Sequence, residues 1–211
     1  MQSASELARR FKGERVTVRP IVPGADAEAL FDAGRDPAIW TYLPYGPYAD
    51  VDELRAALRE QAASEDPRFY VVEVDGRPLG VLSYLRITPE HGVIEIGHVW
   101  FGTPLQRTPA ATEAIYLLAR HVFDDLGWRR LEWKTNALNA ASRRAAERFG
   151  FTFEGVFRKH QIVKGANRDT AWYSIVDDEW PRIRRGFEEW LAPENFDENG
   201  AQRRTLEQCR Q

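Results

Sequence analysis

The stretch Phe101-Gly102-Thr103-Pro104-Leu105-Gln106-Arg107-Thr108-Pro109-Ala110-Ala111-Thr112-Glu113-Ala114 decides how the chain is read, because the period changes there. Val93 to Phe101 reads as a strand, after which the chain turns through small residues. From Ala111 onward Ile115, Leu118, Ala119, Val122 and Leu126 fall at helical spacing, one apolar stripe on a helix that Gly127 ends. Thr108 suits the N-cap, and Pro109 suits the first helical position, where a backbone N–H lacks a partner in any case. Free N–H groups at such a helix start, with Arg107 beside them, make a natural anion site whose obvious guest is a pyrophosphate. Read locally, the same residues are more simply a plain capped helix after a loop.

Outward from this stretch the chain alternates between the two periods. On the N-terminal side Val16 and Val18 alternate with Arg15, Thr17 and Arg19 in a short strand closed by Pro20. Ala27 to Ala33 reads as a short helix, and Asp50 heads a second that runs to Ala63. Phe69 to Val74 meets the hairpin signal Asp75-Gly76 and returns as Gly80 to Ile87. On the C-terminal side Leu131 to Thr135 is a strand, and Asn139 to Phe149 a helix with Gly150 at its left-handed cap. Phe153 to Val163 and Thr170 to Val176 are two more strands, and Asp178 to Leu191 is a last amphipathic helix. Hairpins mixed with crossovers predict an α/β (α+β) fold with a mixed sheet. One domain over 1–191 is expected, with a loosely held polar tail over 192–211.

Composition narrows the function. With 211 residues and 43% apolar side chains the chain can bury a sizeable core. The 29 basic against 32 acidic residues leave a net charge of −3, without the basic excess of a nucleic-acid binder. Cys209 is the single cysteine, which excludes an intrachain disulfide and a Cys-rich zinc site. The longest apolar runs, such as Ile115 to Ala119, are too short to span a membrane. Arg9, Arg10 and Lys12 are scattered around Leu7 and Phe11, unlike a signal peptide. The expectation is a soluble, cytoplasmic domain with no metal, no nucleic acid and no membrane partner.

Asn139-Ala140-Ala141-Ser142 opens the later helix, and Phe149-Gly150-Phe151 closes it. Here the chain resembles the GNAT superfamily of acyl-CoA-dependent N-acetyltransferases. More narrowly it resembles the Rim-type branch, related to enzymes that acetylate the N-termini of ribosomal proteins. Gln106 to Ala111 fits the family's cofactor loop, Q/R-x-x-G-x-G/A, with Pro109 in place of the first glycine. Thr112-Glu113-Ala114, Asn139-x-x-Ser142, Gly150-Phe151 and Glu154-Gly155 continue the pattern in order, over about Glu14 to Pro181. Proline removes one N–H from the cradle. As first helical residue it leaves the donors of Arg107, Thr108, Ala110 and Ala111.

The resemblance implies a GNAT fold with a mixed, mostly antiparallel sheet splayed at the cofactor site and flanked by helices. It implies acetyl-CoA as acyl donor, its pantetheine arm along Val99, Trp100 and Phe101 and its phosphates on the loop from Gln106 to Thr112. The reaction it implies is direct attack of a neutral amine on the thioester, with the amine either a peptide N-terminus or a small molecule. Glu95 and His98 are then the candidate bases, and strict alternation places them on opposite faces, so that only one faces the substrate. A bulge, which this family often has in that strand, breaks such parity. Glu95 is preferred, because Glu-Ile-Gly matches the Rim-type pattern. Ser142, in the first turn of its helix, is the candidate acid for the departing thiolate, and Asn139 the partner of the pantetheine amide. Arg143 and Arg144 are within reach of cofactor phosphates or simply solvated. The resemblance sets the aromatic run from Trp40 to Tyr48 where the fold lines its acceptor pocket, with Trp40, Tyr42, Tyr45 and Tyr84 as its candidate walls, although rings of this kind serve equally as core. Relatives of this kind often pair into dimers. The competing reading is a GNAT-fold module that binds CoA without chemistry, as a sensor or scaffold. No G-x-x-x-x-G-K-S/T, G-x-G-x-x-G, H-E-x-x-H or G-x-S-x-G occurs.

Overall fold

The computed structural model describes Leu7 and residues 9–211, which gather into two compact units that divide between Leu118 and Ala119. In the first unit five strands follow one another antiparallel: β1 (Phe11–Lys12), β2 (Thr17–Pro20), β3 (Arg68–Val74), β4 (Arg77–Thr88) and β5 (Val93–Phe101). Asp75 and Gly76 join β3 to β4 with φ of +49° and +78°, the doubly left-handed turn that this dipeptide favours.

One face of these strands is covered by α1 (Pro23–Ala33) and α2 (Val51–Ala63). Leu30, Leu54 and Leu58 of the helices pack with Phe69, Val71, Val81 and Trp100 of the strands. Leu30 and Leu58 lose all contact with solvent, each contributing about 1.5–3 kcal/mol by its burial. The α2 start is as its sequence predicts, with the Asp50 carboxylate accepting from the N–H groups of Asp52 and Glu53 at 3.0 and 2.9 Å. α1 begins at Pro23, ahead of the predicted Ala27, because proline fits a first helical turn.

Against the other face lies the first part of α3 (Pro109–Arg120), where the Tyr84 hydroxyl donates to the Leu118 carbonyl at 2.6 Å. The buried Glu113 carboxylate on this helix accepts from the N–H groups of Glu14 and Arg15 at 2.9 and 2.7 Å, holding the turn before β2 in place.

In the second unit α3 ends at Arg120, and a wider π turn from His121 to Asp125 completes the run that periodicity alone extends to Leu126. β6 (Arg130–Asn136), α4 (Ala140–Phe149), β7 (Thr152–Val163), β8 (Ala166–Val176), α5 (Trp180–Leu191) and the short α6 (Leu206–Cys209) follow. β8 lies between β6 and β7 and is antiparallel to both. Trp133, Phe149, Phe151 and Phe187 form an aromatic core between strand and helices.

The residues after Ala192 depart from the expected loose tail. Asn195 donates to the carbonyls of Trp190 and Arg204 and accepts from the Arg204 N–H, while the Arg210 guanidinium donates to the carbonyls of Arg148 and Glu147 at the end of α4. Leu206 and Cys209 are buried. A polar segment is held here by hydrogen bonds to backbone ends, which no hydropathy pattern displays.

Candidate active site

The geometry of the site begins with a defect in β5. Leu85 opposes Glu95, Ser83 opposes Gly97 and Val81 opposes Trp100, so Leu82 alone stands against both His98 and Val99. This is a β-bulge, and His98 takes the left-handed backbone at φ +50°. Directly opposed residues share a face, which places Glu95, Gly97 and Trp100 on the face covered by α1 and α2. His98 packs there too, its ring 5.1 Å from that of Phe69. The expected separation of Glu95 and His98 onto opposite faces therefore does not occur. Left-handed backbone is costly for a residue with a Cβ, and such strain gathers at functional sites.

Glu95 is buried, 5% exposed, with Oε2 at 3.1 Å from Nε of the half-exposed Arg86. Arg86 itself sits in a second bulge at φ +51°, where the Asp66 carboxylate accepts from the N–H groups of Arg86 and Ile87 at 2.8 and 3.1 Å. Gly97 makes room for the acid: a Cβ there would stand 3.3 Å from Glu95 Oε1 and 2.8 Å from Leu85 Cδ2.

The four predicted pocket aromatics separate in the structure. Tyr45 stacks on His98 with centroids 5.6 Å apart and planes inclined by 11°. Its hydroxyl is buried and has no hydrogen-bond partner among the described residues, and burial pushes that hydroxyl far above the ordinary phenol range. Tyr48, 6.5 Å from Tyr45, is pushed up to about 12 by burial and by Glu53 and Glu60. Tyr84 is core instead: it is wholly buried and its hydroxyl is satisfied by Leu118. Trp40 is likewise buried, donating to the Gly34 carbonyl at 2.8 Å and packing 4.9 Å from Trp100. Tyr42 is half-buried.

In the loop after β5, Pro109 is the first residue of α3, as expected of proline. Thr108 Oγ1 accepts from the Ala111 N–H at 3.2 Å and donates to the Leu105 carbonyl, so it is the N-cap. The four expected phosphate donors are thereby reduced. Ala111 is used by the cap and Thr108 reaches Leu105 at 3.4 Å, whereas the N–H groups of Arg107 and Ala110 have no partner among the described residues. Arg107 is left-handed at φ +62° and exposed. Gln106 does not reach outward: its side-chain amide donates to the Phe101 carbonyl at 2.8 Å and braces the turn. Thr112, at 2% exposure, is closed to a cofactor.

In the second unit Asn139 Oδ1 accepts from the Ser142 N–H at 3.0 Å and caps α4, while its Nδ2 group has no partner among the described residues. Ser142 Oγ accepts from the indole N–H of Trp133, also at 3.0 Å. Arg143 donates from Nε to the Tyr173 hydroxyl at 3.0 Å, which ties it to the fold; Arg144 is exposed. Spare amide donors on Asn139, and spare N–H groups at Arg107 and Ala110, are the chemistry that a pantetheine amide and a phosphate require. Phe69, Arg86, Gly97 and Trp133 escape a reading of the sequence. Gly97 alone leaves a trace there, as a glycine inside a strand.

Among the described residues no group of three or more His, Cys, Asp or Glu gathers to hold a metal ion, and no helix is long and apolar enough to cross a membrane. Residues 15–152 match the family model described as an acetyltransferase (GNAT) domain. A GCN5-related N-acetyltransferase from Brucella melitensis has a solved structure that overlays with TM-score 0.94, at 44% identity, covering 96% of this chain and 94% of that one. An uncharacterized N-acetyltransferase, p20 of Bacillus licheniformis, is 26% identical over 79% of this chain and 96% of its own length. YdaF of Bacillus subtilis, named as a candidate ribosomal N-acetyltransferase, is 29% identical over 79% of this chain and 94% of its own length.

Proposed function

The chain belongs to the GNAT acetyltransferase family, and on that premise we propose that it moves an acetyl group from acetyl-CoA to a primary amine by direct attack. The observation that carries this reading is the bulge in β5, which puts Glu95 and His98 on one face. A reactive amine must be neutral, and a carboxylate and an imidazole on the same face are two proton acceptors for the ammonium form. An α-amine, ordinarily near pH 8, needs less help than a lysine side chain near 10.4, which favours a peptide N-terminus or a small amine of similar basicity.

Acetyl-CoA, when bound, supplies the activated thioester carbonyl and a thiolate leaving group. In the first unit the N–H groups of Arg107 and Ala110 would suit its phosphates; in the second, taken by itself, Asn139 Nδ2 would suit an amide carbonyl of its arm. Ser142 Oγ holds a hydrogen-bond donor for the sulfur, at the positive end of α4. Tyr45 and Phe69 wall the acceptor around His98, and the aromatic surround keeps water from the amine.

The test is a melt of the purified chain with excess acetyl-CoA, CoA or ATP, followed by a screen of amines for release of CoA thiol. A ligand at 100 times its dissociation constant adds about 2.7 kcal/mol to stability. Raised melting with acetyl-CoA and CoA but not ATP, and amine-dependent thiol release, are expected. Raised melting without release for any amine would instead support a binding module.

A further inference from the structure

The Ser142 hydroxyl has one proton and two lone pairs, and a helical serine can spend that proton on the backbone carbonyl one turn back. Here it does not. Its only hydrogen-bond partner at Oγ among the described residues is the Trp133 indole, at 3.0 Å. An indole nitrogen can only donate, so Oγ is the acceptor in that pair and the hydroxyl proton is left unspent. Ser142 is itself fixed, because Asn139 Oδ1 receives its N–H at 3.0 Å. Trp133 is fixed as well: it is 5% exposed, it sits on β6 opposite Tyr173, and its ring packs 6.0 Å from Phe149 and 5.7 Å from Phe151. The indole therefore cannot swing away from the hydroxyl without disturbing an aromatic core.

We propose that Trp133 is a positioning residue for Ser142: by filling one acceptor site on Oγ it turns the hydroxyl proton outward and strengthens it as a donor. A hydroxyl that accepts one hydrogen bond is a better donor of the next. The proton stays on Ser142 throughout; what it offers is a hydrogen bond to a sulfur carrying developing negative charge, with no net transfer. This rests on the reading in which Ser142 serves the thioester sulfur. It goes beyond that reading by naming the group that sets the direction of the donor.

The experiment compares the wild type with Trp133→Phe, Ser142→Ala and the double variant. The readout is the pH titration of free CoA bound to each protein, followed by the ultraviolet absorbance of its thiolate, so no acceptor amine is needed. Should phenylalanine loosen the core, benzothienylalanine at position 133 keeps the shape of the indole without its N–H. Ser142→Ala is expected to raise the pKa of the bound thiol, and loss of the indole N–H to raise it in the same direction. The second effect corresponds to about a fivefold loss of thiolate stabilisation, the factor carried by one uncharged hydrogen bond. CoA affinity measured below the thiol pKa should be unchanged, and the double variant should resemble Ser142→Ala alone. The proposal is overturned if Ser142→Ala shifts the thiol while removal of the indole N–H does not. It is also overturned if the two effects simply add, since that would make Trp133 a packing residue. An unshifted thiol in Ser142→Ala would instead remove the role of Ser142 on which both readings depend.

Discussion

The imidazole of His98 lies nearly parallel to the ring of Tyr45, 5.6 Å away and inclined by 11°. Phe69 stands at 5.1 Å from the same imidazole. The candidate base is thus held between two aromatic rings on a bulge that turns it toward Glu95's face. Its orientation is set by packing, and the left-handed backbone at φ +50° is the cost of that placement.

The stack and the hydroxyl of Tyr45 can be separated by substitution. Tyr45→Phe keeps the ring and removes a buried hydroxyl that has no partner among the described residues. Its melting should be unchanged or slightly higher, within about 1 kcal/mol. Tyr45→Ala loses the stack, about 0.5–1.5 kcal/mol beyond burial. Its kcat/KM for the acceptor should fall while acetyl-CoA affinity stays, as steady-state kinetics with each substrate varied would show.

Glu95 and His98 should divide the pH dependence between them. His98→Asn keeps a side chain that tolerates left-handed backbone and removes the imidazole. Glu95→Gln removes only the charge. Loss of the working base should cost about 10²–10⁴-fold in kcat/KM and abolish the rise of rate with pH on the acid side. Gly97→Ala should act on the same residue indirectly, because its Cβ would stand 3.3 Å from Glu95 Oε1. A Gly97→Ala protein with full activity would show that the position of the carboxylate is unimportant.

Asn139 caps α4 through Oδ1, and the proposed contact with the CoA arm falls on its other amide atom, Nδ2. Asn139→Asp retains an acceptor for the Ser142 N–H and adds negative charge at the start of α4, so its melting should hold or rise. The lost Nδ2 donors should weaken CoA binding about five- to tenfold, read by calorimetry. Asn139→Ala should lose both, including about 1 kcal/mol of cap.

Arg19 and Asp26 form the ion pair on which α1 depends. Arg19 donates to Asp26 Oδ1 at 2.6 Å and Oδ2 at 3.0 Å, and Asp26 is 1% exposed. Arg19→Met leaves that carboxylate buried beside the N–H of Val22 alone, and chemical denaturation should report a loss of about 3 kcal/mol.

Acid should weaken the second unit through Glu132 and Glu154. Burial alone would raise Glu132, but Lys134 and Arg130 hold it below the usual carboxylate range. Arg130 first, and Ser174 with it, do the same for Glu154. Because both folded values are depressed, their contribution is complete above the ordinary value near 4.3 and is lost as pH falls through the lower folded values. Arg130→Gln should move the acid unfolding midpoint upward, followed by circular dichroism against pH.

What the sequence displays, and what it conceals, follows from the range of each interaction. Asp75-Gly76, Asp50, Pro109 and Gly150 act on backbone within a few residues, and all four stand where their local chemistry predicts. Alternation along β5 holds only while the ladder is unbroken, so the face of His98 depends on Leu82, which pairs across the sheet. Tyr45 and Tyr84 are the same residue type, and only tertiary packing stacks one on His98 and buries the other in the core. The segment after Ala192 looks like solvent-exposed chain because its anchors, Asn195 and Arg210, are polar side chains that bond to distant carbonyls.

The extra residue in β5 also governs how this chain can be compared with others. Between Gly97 and Trp100 there are two residues where the facing strand has one. An alignment that runs straight through 93–101 against a relative lacking the bulge would match His98 to a side chain from the wrong side of its sheet. Counting from Gly97 backward and from Trp100 forward keeps each position with its true counterpart. A histidine absent from the matching column of a relative is then no proof that the relative lacks one in the same place.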